Sequence, residues 1–317
     1  MHRFRPWAAA VLLVVAAHPL AGQNPECSPY SSFARTRNVC NAAVDGSRAF
    51  QPIVGLLTSG GNPVLGTSGA LGGLGHFALG ARVNATEVVL PDPNYDGATT
   101  TVGKSGEIFL PSPLVEGALG VLGGPLGLDI LGAAQLLPTG IVDNLSVDPN
   151  AARVGSIALG LGVGARLSLL QDRSALPGVS VSLVRRTIPR VQYGDVPAGD
   201  QYSYAADLTA WNLRATVGKR FSVLALAAGV GQDWYDGSAR IQFRDPVTTL
   251  PAPPIDLDLS NSRAVGFVNA GLQLRLLKLV AEAGYQLGKD QGLTTTFTDF
   301  DPKAGRFFAG AGFMLGL

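Results

Sequence analysis

From Val154 to Leu169 the chain alternates almost without a break. Ile157, Leu159, Leu161, Val163, Ala165, Leu167 and Leu169 share one face of an extended strand, and Ser156, Ala158, Gly160, Gly162, Gly164, Arg166 and Ser168 share the other. Successive side chains of a strand point to opposite faces, so the segment has one aliphatic face and one small or polar face. A barrel bathed in water would turn small polar residues out and large ones in. Here the lone charge, Arg166, stands among glycines, which suits a crowded interior, and the aliphatic row is long and uniform enough to face lipid.

The same dyad pattern predicts ten strands, at roughly residues 76–90, 114–122, 126–137, 153–170, 177–190, 202–217, 221–232, 263–276, 278–288 and 306–317. The apolar run 114–138 could pass for a membrane helix. It contains Glu116, Asp129 and the breaker Gly123-Gly124-Pro125, so it reads as two strands and a turn. Short and long connections alternate, the long ones being 91–113, 138–152, 191–201, 233–262 and 289–305. This is the signature of an antiparallel up-and-down transmembrane β-barrel with short periplasmic turns and long external loops. An even strand number leaves both chain termini periplasmic. The count rises to twelve if 237–244 and 255–259 pair as a further hairpin.

Composition agrees with a wall in lipid. Charged residues are 15% of the chain, against ~25% in soluble domains, and Gly supplies 41 of 317 residues. Arg3 and Arg5, the run from Ala8 to Ala17 and the small-residue site Leu20-Ala21-Gly22 read as a signal peptide over 1–22. Without its two basic residues the chain has 22 Lys and Arg against 23 Asp and Glu, which argues against nucleic acid as a partner.

Residues 23–75 do not alternate. Val39, Ala43, Phe50, Val54 and Leu57 fit a helical stripe, Pro52 would kink it, and Ser59-Gly60-Gly61 breaks it. The expectation is a short periplasmic or plug helix ahead of a barrel over 76–317. Cys27 and Cys40, the only cysteines, are expected to form one disulfide in an oxidising compartment, tying the helix to the start of the chain.

If the aliphatic rows face lipid, Arg82, Glu116, Asp129, Arg166, Arg214, Arg275 and Glu282 face the lumen. An arginine on the lipid face near the midplane costs ~2–4 kcal/mol, so four of them outward would cost about as much as a whole fold's stability. Arg185-Arg186 must split, one of the two snorkelling to the headgroups. The inward charges are expected to form a network that partly fills a narrow barrel, either as packing or as a selectivity constriction. Trp211, Phe221, Trp234, Tyr285, Phe307, Phe308 and Phe313 are candidates for interfacial belts.

Other motifs fall short. Asp92, Asn94 and Asp96, followed by Gly97, match the first half of a calcium loop, but Gly103 stands where its bidentate Glu belongs. Gly103-Lys104-Ser105 lacks the upstream glycine of a phosphate loop. His76 would have to serve any hydrolytic triad, and no G-x-S-x-G elbow exists. No cofactor and no enzymatic activity are expected.

The segment from Gly305 to Leu317, with Arg306, Phe307, Phe308 and Phe313, resembles the last strand of bacterial outer-membrane β-barrel proteins. Leu317 replaces their usual terminal aromatic. The resemblance implies residence in the outer membrane, contact with its lipid and delivery by the barrel assembly machinery. Gly61-Asn62-Pro63-Val64-Leu65, before strand one, resembles the hatch entry of long-chain fatty-acid transporter barrels, which have more strands. That likeness implies passage or capture of a small or hydrophobic molecule. The rival readings are a non-conducting structural or adhesion barrel whose external loops meet partners, and a lipid-processing barrel enzyme acting through His76.

Overall fold

The computed structural model describes residues 24–124, 126–138, 145–173 and 176–316. The expected signal peptide and Leu317 lie outside them. Ten antiparallel strands form the wall: β1 (Phe77–Pro91), β2 (Lys104–Leu122), β3 (Leu128–Pro138), β4 (Ile157–Leu170), β5 (Gly178–Tyr193), β6 (Tyr202–Phe221), β7 (Leu224–Phe243), β8 (Ile255–Leu274), β9 (Leu277–Gln286) and β10 (Arg306–Gly316). Each pairs with its sequence neighbours, and β1 pairs with β10, so the sheet closes and keeps no edge. Outside the wall, two-residue strands at Thr101–Val102 and Thr296–Phe297 tie the first and last long loops together in parallel.

Along β4 the alternation has the predicted sense. Leu161 and Val163 are exposed, and Ala158, Arg166 and Ser168 are buried. Strands β6, β7 and β8 each have 20 residues, about twice the ~9–11 that a tilted strand needs to cross. Their faces exchange polarity partway up. In β7, Leu224, Leu226 and Val230 point outward below Trp234, whereas Asp236 and Arg240 point outward above it. Inward positions change the opposite way, from Ala225 and Ala227 to Tyr235, Ile241 and Phe243, all buried. In β8, Leu272 and Val268 give way outward to Asp258 and Asp256, while Leu259 and Leu257 turn inward. The lower part is built for lipid, and the upper part is a collar built for water.

The collar corrects several expectations. Residues 233–262 are mostly wall, and no separate twelfth-strand hairpin exists, because 237–244 and 255–259 extend β7 and β8. A rule that equates apolar with outward loses these strands where the surroundings change from lipid to water. Strand β2 begins at Lys104, ten residues earlier than predicted, and runs through Pro111 and Pro113. Both prolines pair only with β1, since β2 meets β3 from Leu114 onward, so their missing N–H groups fall on an open side.

Two-residue turns join β6 to β7 and β8 to β9, with Ser222 and Arg275 at φ 53° and 56°. Arg275 is therefore an exposed turn residue at the rim, not a lumen residue. The strand ends at Leu274, two residues before the predicted 276, and the turn takes Arg275 out of the alternation. Of the belt candidates, Trp211 and Trp234 are cross-strand partners on the outer surface, Tyr285 stacks on Phe307 at 4.6 Å, and Phe221 and Phe313 are exposed. Phe308 is instead buried in the lumen.

Candidate functional site

The lumen is occupied by the chain's own N-terminal segment. A short 3-10 turn (Pro25–Tyr30) leads into helix α1 (Ala34–Ser59), which runs through Pro52 and ends at Gly60, φ 56°, whose N–H returns to Leu56 O. Cys27 and Cys40 are joined in a disulfide that holds the turn against the helix. At 26 residues α1 is ~39 Å long, more than the hydrocarbon thickness of a bilayer.

Its direction is fixed by its contacts. Tyr30 packs edge-on against Phe243 at the top of β7 (5.1 Å), and Arg35 pairs with Asp96 in the first long loop. Buried Asp45 accepts from Thr294 N (2.9 Å) and Thr295 N (2.8 Å) of the last long loop. Residues 66–72 reach the short-turn end, where Lys278 donates to Gly66 O at 3.1 Å. The strand ends Phe77 and Gly316 lie at the short-turn rim, but Asn24 lies at the long-loop mouth. The expectation that both chain ends share the short-turn side is not met at Asn24, because the segment threads the barrel before β1 begins.

In the collar, α1 is held by side-chain packing. Val39, Ala43, Val44, Ile53 and Leu57 share one core with Tyr202, Tyr204, Phe243, Ile241, Leu257 and Leu259. The gap left beside Gly46, Phe50 and Tyr204 is about 10 Å³, the size of one water. Gly55 is required by close approach: a Cβ there would stand 2.2 Å from the Tyr235 ring.

Below the collar the wall grips main chain instead. Arg214 Nε donates to Gly61 O and its Nη2 to Gly60 O, both at 2.9 Å, while Nη1 meets Asp233 Oδ1 at 2.6 Å. The Glu282 carboxylate accepts from Gly61 N (2.8 Å) and Asn62 N (2.7 Å). Arg82 lies between Glu116 (3.2 Å) and Glu282 (3.4 Å) and donates to Asn62 O at 3.2 Å. Asn84 donates to Leu57 O at 3.0 Å. Nearer the rim, Arg166 pairs with Asp129 at 2.7 Å and donates to Thr67 Oγ1 at 2.6 Å, and Asp129 accepts from Leu71 N at 3.1 Å.

Thus Arg82, Glu116, Asp129, Arg166, Arg214 and Glu282 converge on the plug, and Arg275 does not. Asp233 completes the Arg214 pair; it falls within the predicted loop 233–262, although Gln232-Asp233-Trp234 continues the alternation of β7. Arg186 faces in and is buried, and Arg185 faces out. The calcium-loop candidates serve the loop itself: Asp92 accepts from Asn94 N at 2.9 Å, and Asp96 accepts from Ala98 N at 2.9 Å besides pairing with Arg35. Among the described residues no group of three His, Cys, Asp or Glu side chains is placed to hold a metal ion.

At the periplasmic mouth a cavity of about 260 Å³ remains, lined among others by Ser68, His76, Asp172, Lys219, Arg220 and Lys278. Ser68, His76 and Asp172 are the residue types of a hydrolytic triad. Both oxygens of Asp172 are taken elsewhere, by Lys219 Nζ (2.7 Å) and Arg220 N (2.8 Å). Although partial burial opposes ionisation, these donors keep the Asp172 carboxyl below its ordinary range.

No protein-family model and no curated protein sequence matches the chain. Among solved structures it is similar to the outer membrane protease OmpT from Escherichia coli, at 12% identity over 77% of this chain and 97% of that one, TM-score 0.40. It is similar to the translocator domain of autotransporter NalP from Neisseria meningitidis, at 11% over 91% and 99%, TM-score 0.41. It is also similar to the Pseudomonas putida toluene transporter TodX, at 11% over 80% and 96%, TM-score 0.27. These likenesses concern architecture and carry nothing about activity. With a closed ten-strand wall, a lipid-facing apolar belt and a rim of short turns, the chain has the fold of an outer-membrane β-barrel.

Proposed function

We propose that this is a plugged barrel that captures a small or hydrophobic solute from outside the cell and passes it when the lower plug leaves its seat. The observation that carries this reading is that the wall neutralises itself. Arg82, Arg166 and Arg214 each have a carboxylate partner on the wall, and residues 59–75 of the plug contain no charged side chain. When the plug shifts, none of these three arginines is left without a carboxylate, and water can replace the main-chain partners. An unpaired buried charge would cost several kcal/mol. Export by residues 1–22, delivery by the assembly machinery and a non-catalytic role belong to the same proposal.

The rival is a non-conducting surface barrel, favoured by the filled collar. Single-channel recording separates the two. The Glu282 carboxylate grips the lower plug through Gly61 N and Asn62 N, so weakening that grip should loosen the seat. The native chain should show intermittent openings. Glu282→Gln, which removes the charge but keeps the size of the side chain, should open more often than the native chain. A native chain that never opens, while a variant lacking residues 24–72 conducts steadily, would favour the surface barrel.

A further inference from the structure

The periplasmic mouth holds positive charge that neither the plug nor the wall uses. Lys219 is matched by Asp172 and also donates to Leu176 O at 3.0 Å. Lys278 Nζ donates to Gly66 O alone among the described residues, which leaves two of its three N–H groups for the cavity. The guanidinium of Arg220 has no ion pair among the described residues, and it repels Lys278 across the same cavity. Two unmatched cations facing one water-accessible space of about 260 Å³ raise each other's energy, and an anion between them removes that cost.

We propose that this cavity is an oxyanion site open to the periplasm. Lys278 and Arg220 supply the charge, and the Ser68 hydroxyl supplies a neutral donor from the plug. The ligand chemistry is a phosphate or carboxylate group, free or carried on a larger molecule. Arg220 offers a planar fork and Lys278 a point charge, a combination suited to an anion with two or more oxygens. The site does not require the plug to move, so it stands or falls apart from the transport reading.

The test uses the full mature chain, folded in neutral detergent and titrated with inorganic phosphate by calorimetry. A parallel titration uses acetate. The expectation is saturable binding of one anion, weakened about tenfold in Lys278→Gln and again in Arg220→Gln, each having lost one charge-assisted hydrogen bond. Arg173→Gln, on the turn outside the cavity, should bind like the native chain. Heat-dependent gel mobility establishes that each variant is folded. In nanodiscs, weaker phosphate binding with phosphatidylglycerol than with phosphatidylcholine would identify the lipid headgroup as the source, and equal binding a free solute. Absence of saturable binding of either anion, or equal binding by the folded double variant, overturns the proposal.

Discussion

The collar and the membrane belt are made from the same strands with opposite rules. Below Trp234, β7 turns Leu226 and Val230 to lipid and keeps Asp233 inside. Above it, the strand turns Arg240 to water and keeps Ile241 and Phe243 inside. The plug changes with its surroundings. Its helical part fits the collar by interdigitated side chains, which specify its residues. Its lower part is recognised through peptide groups, and carboxylate and guanidinium wall residues serve where an apolar wall would leave those groups unpaired. Collar packing fixes the plug's identity, whereas the belt fixes only its path.

The sharpest challenge to this contrast is Arg214→Ala. It strands Asp233 and removes two bonds to Gly60 and Gly61, so the folded barrel should lose about 3–5 kcal/mol in urea unfolding. Protease protection should fall first around residues 59–72. Equal loss of protection along α1 would merge the two regions into one. Next, Ile53→Ala in the collar core should cost about 2–5 kcal/mol and expose α1 while the lower plug stays protected. Cys40→Ser opens the disulfide loop to Cys27 and should cost about 2–4 kcal/mol, read as a lower melting temperature for release of the outer turn.

The smallest effect lies in the last external loop. Its pairing with Lys303 holds the Asp290 carboxyl below the ordinary 3.8 and raises the Lys303 ammonium above the ordinary 10.5. The carboxylate's contribution is complete above 3.8 and fades as pH falls through its depressed value. The ammonium's contribution is complete below 10.5 and fades as pH rises through its raised value. Amide protection factors, corrected for the intrinsic pH dependence of exchange, should therefore be flat in residues 287–305 between those limits and fall outside them. Asp290→Asn should abolish the acid limb.

Much of the belt was legible from local pattern. Val154–Leu169 shows its sidedness because an arginine near the lipid midplane is costly, so Arg166 fixes which row is inside. Arg82, Glu116, Asp129, Arg214 and Glu282 follow by the same parity. Asp233 and the upper halves of β7 and β8 were illegible to that rule, since the rule presumes one solvent and the strand crosses two. Arg275 shows the second limit: a strand that ends two residues early leaves a side chain on the turn and out of the lumen.

Alternation, charge cost and loop rhythm are properties of neighbouring residues, so the chain alone decided a closed lipid-facing wall, its ten crossings and a helix ahead of it. Where that helix goes was decided only in three dimensions. Gly55 against Tyr235, Gly61 beside Phe267 and Glu282, and Asp45 under Thr294 join residues far apart in sequence. No local period records such contacts, because they exist only once the wall has closed around the plug.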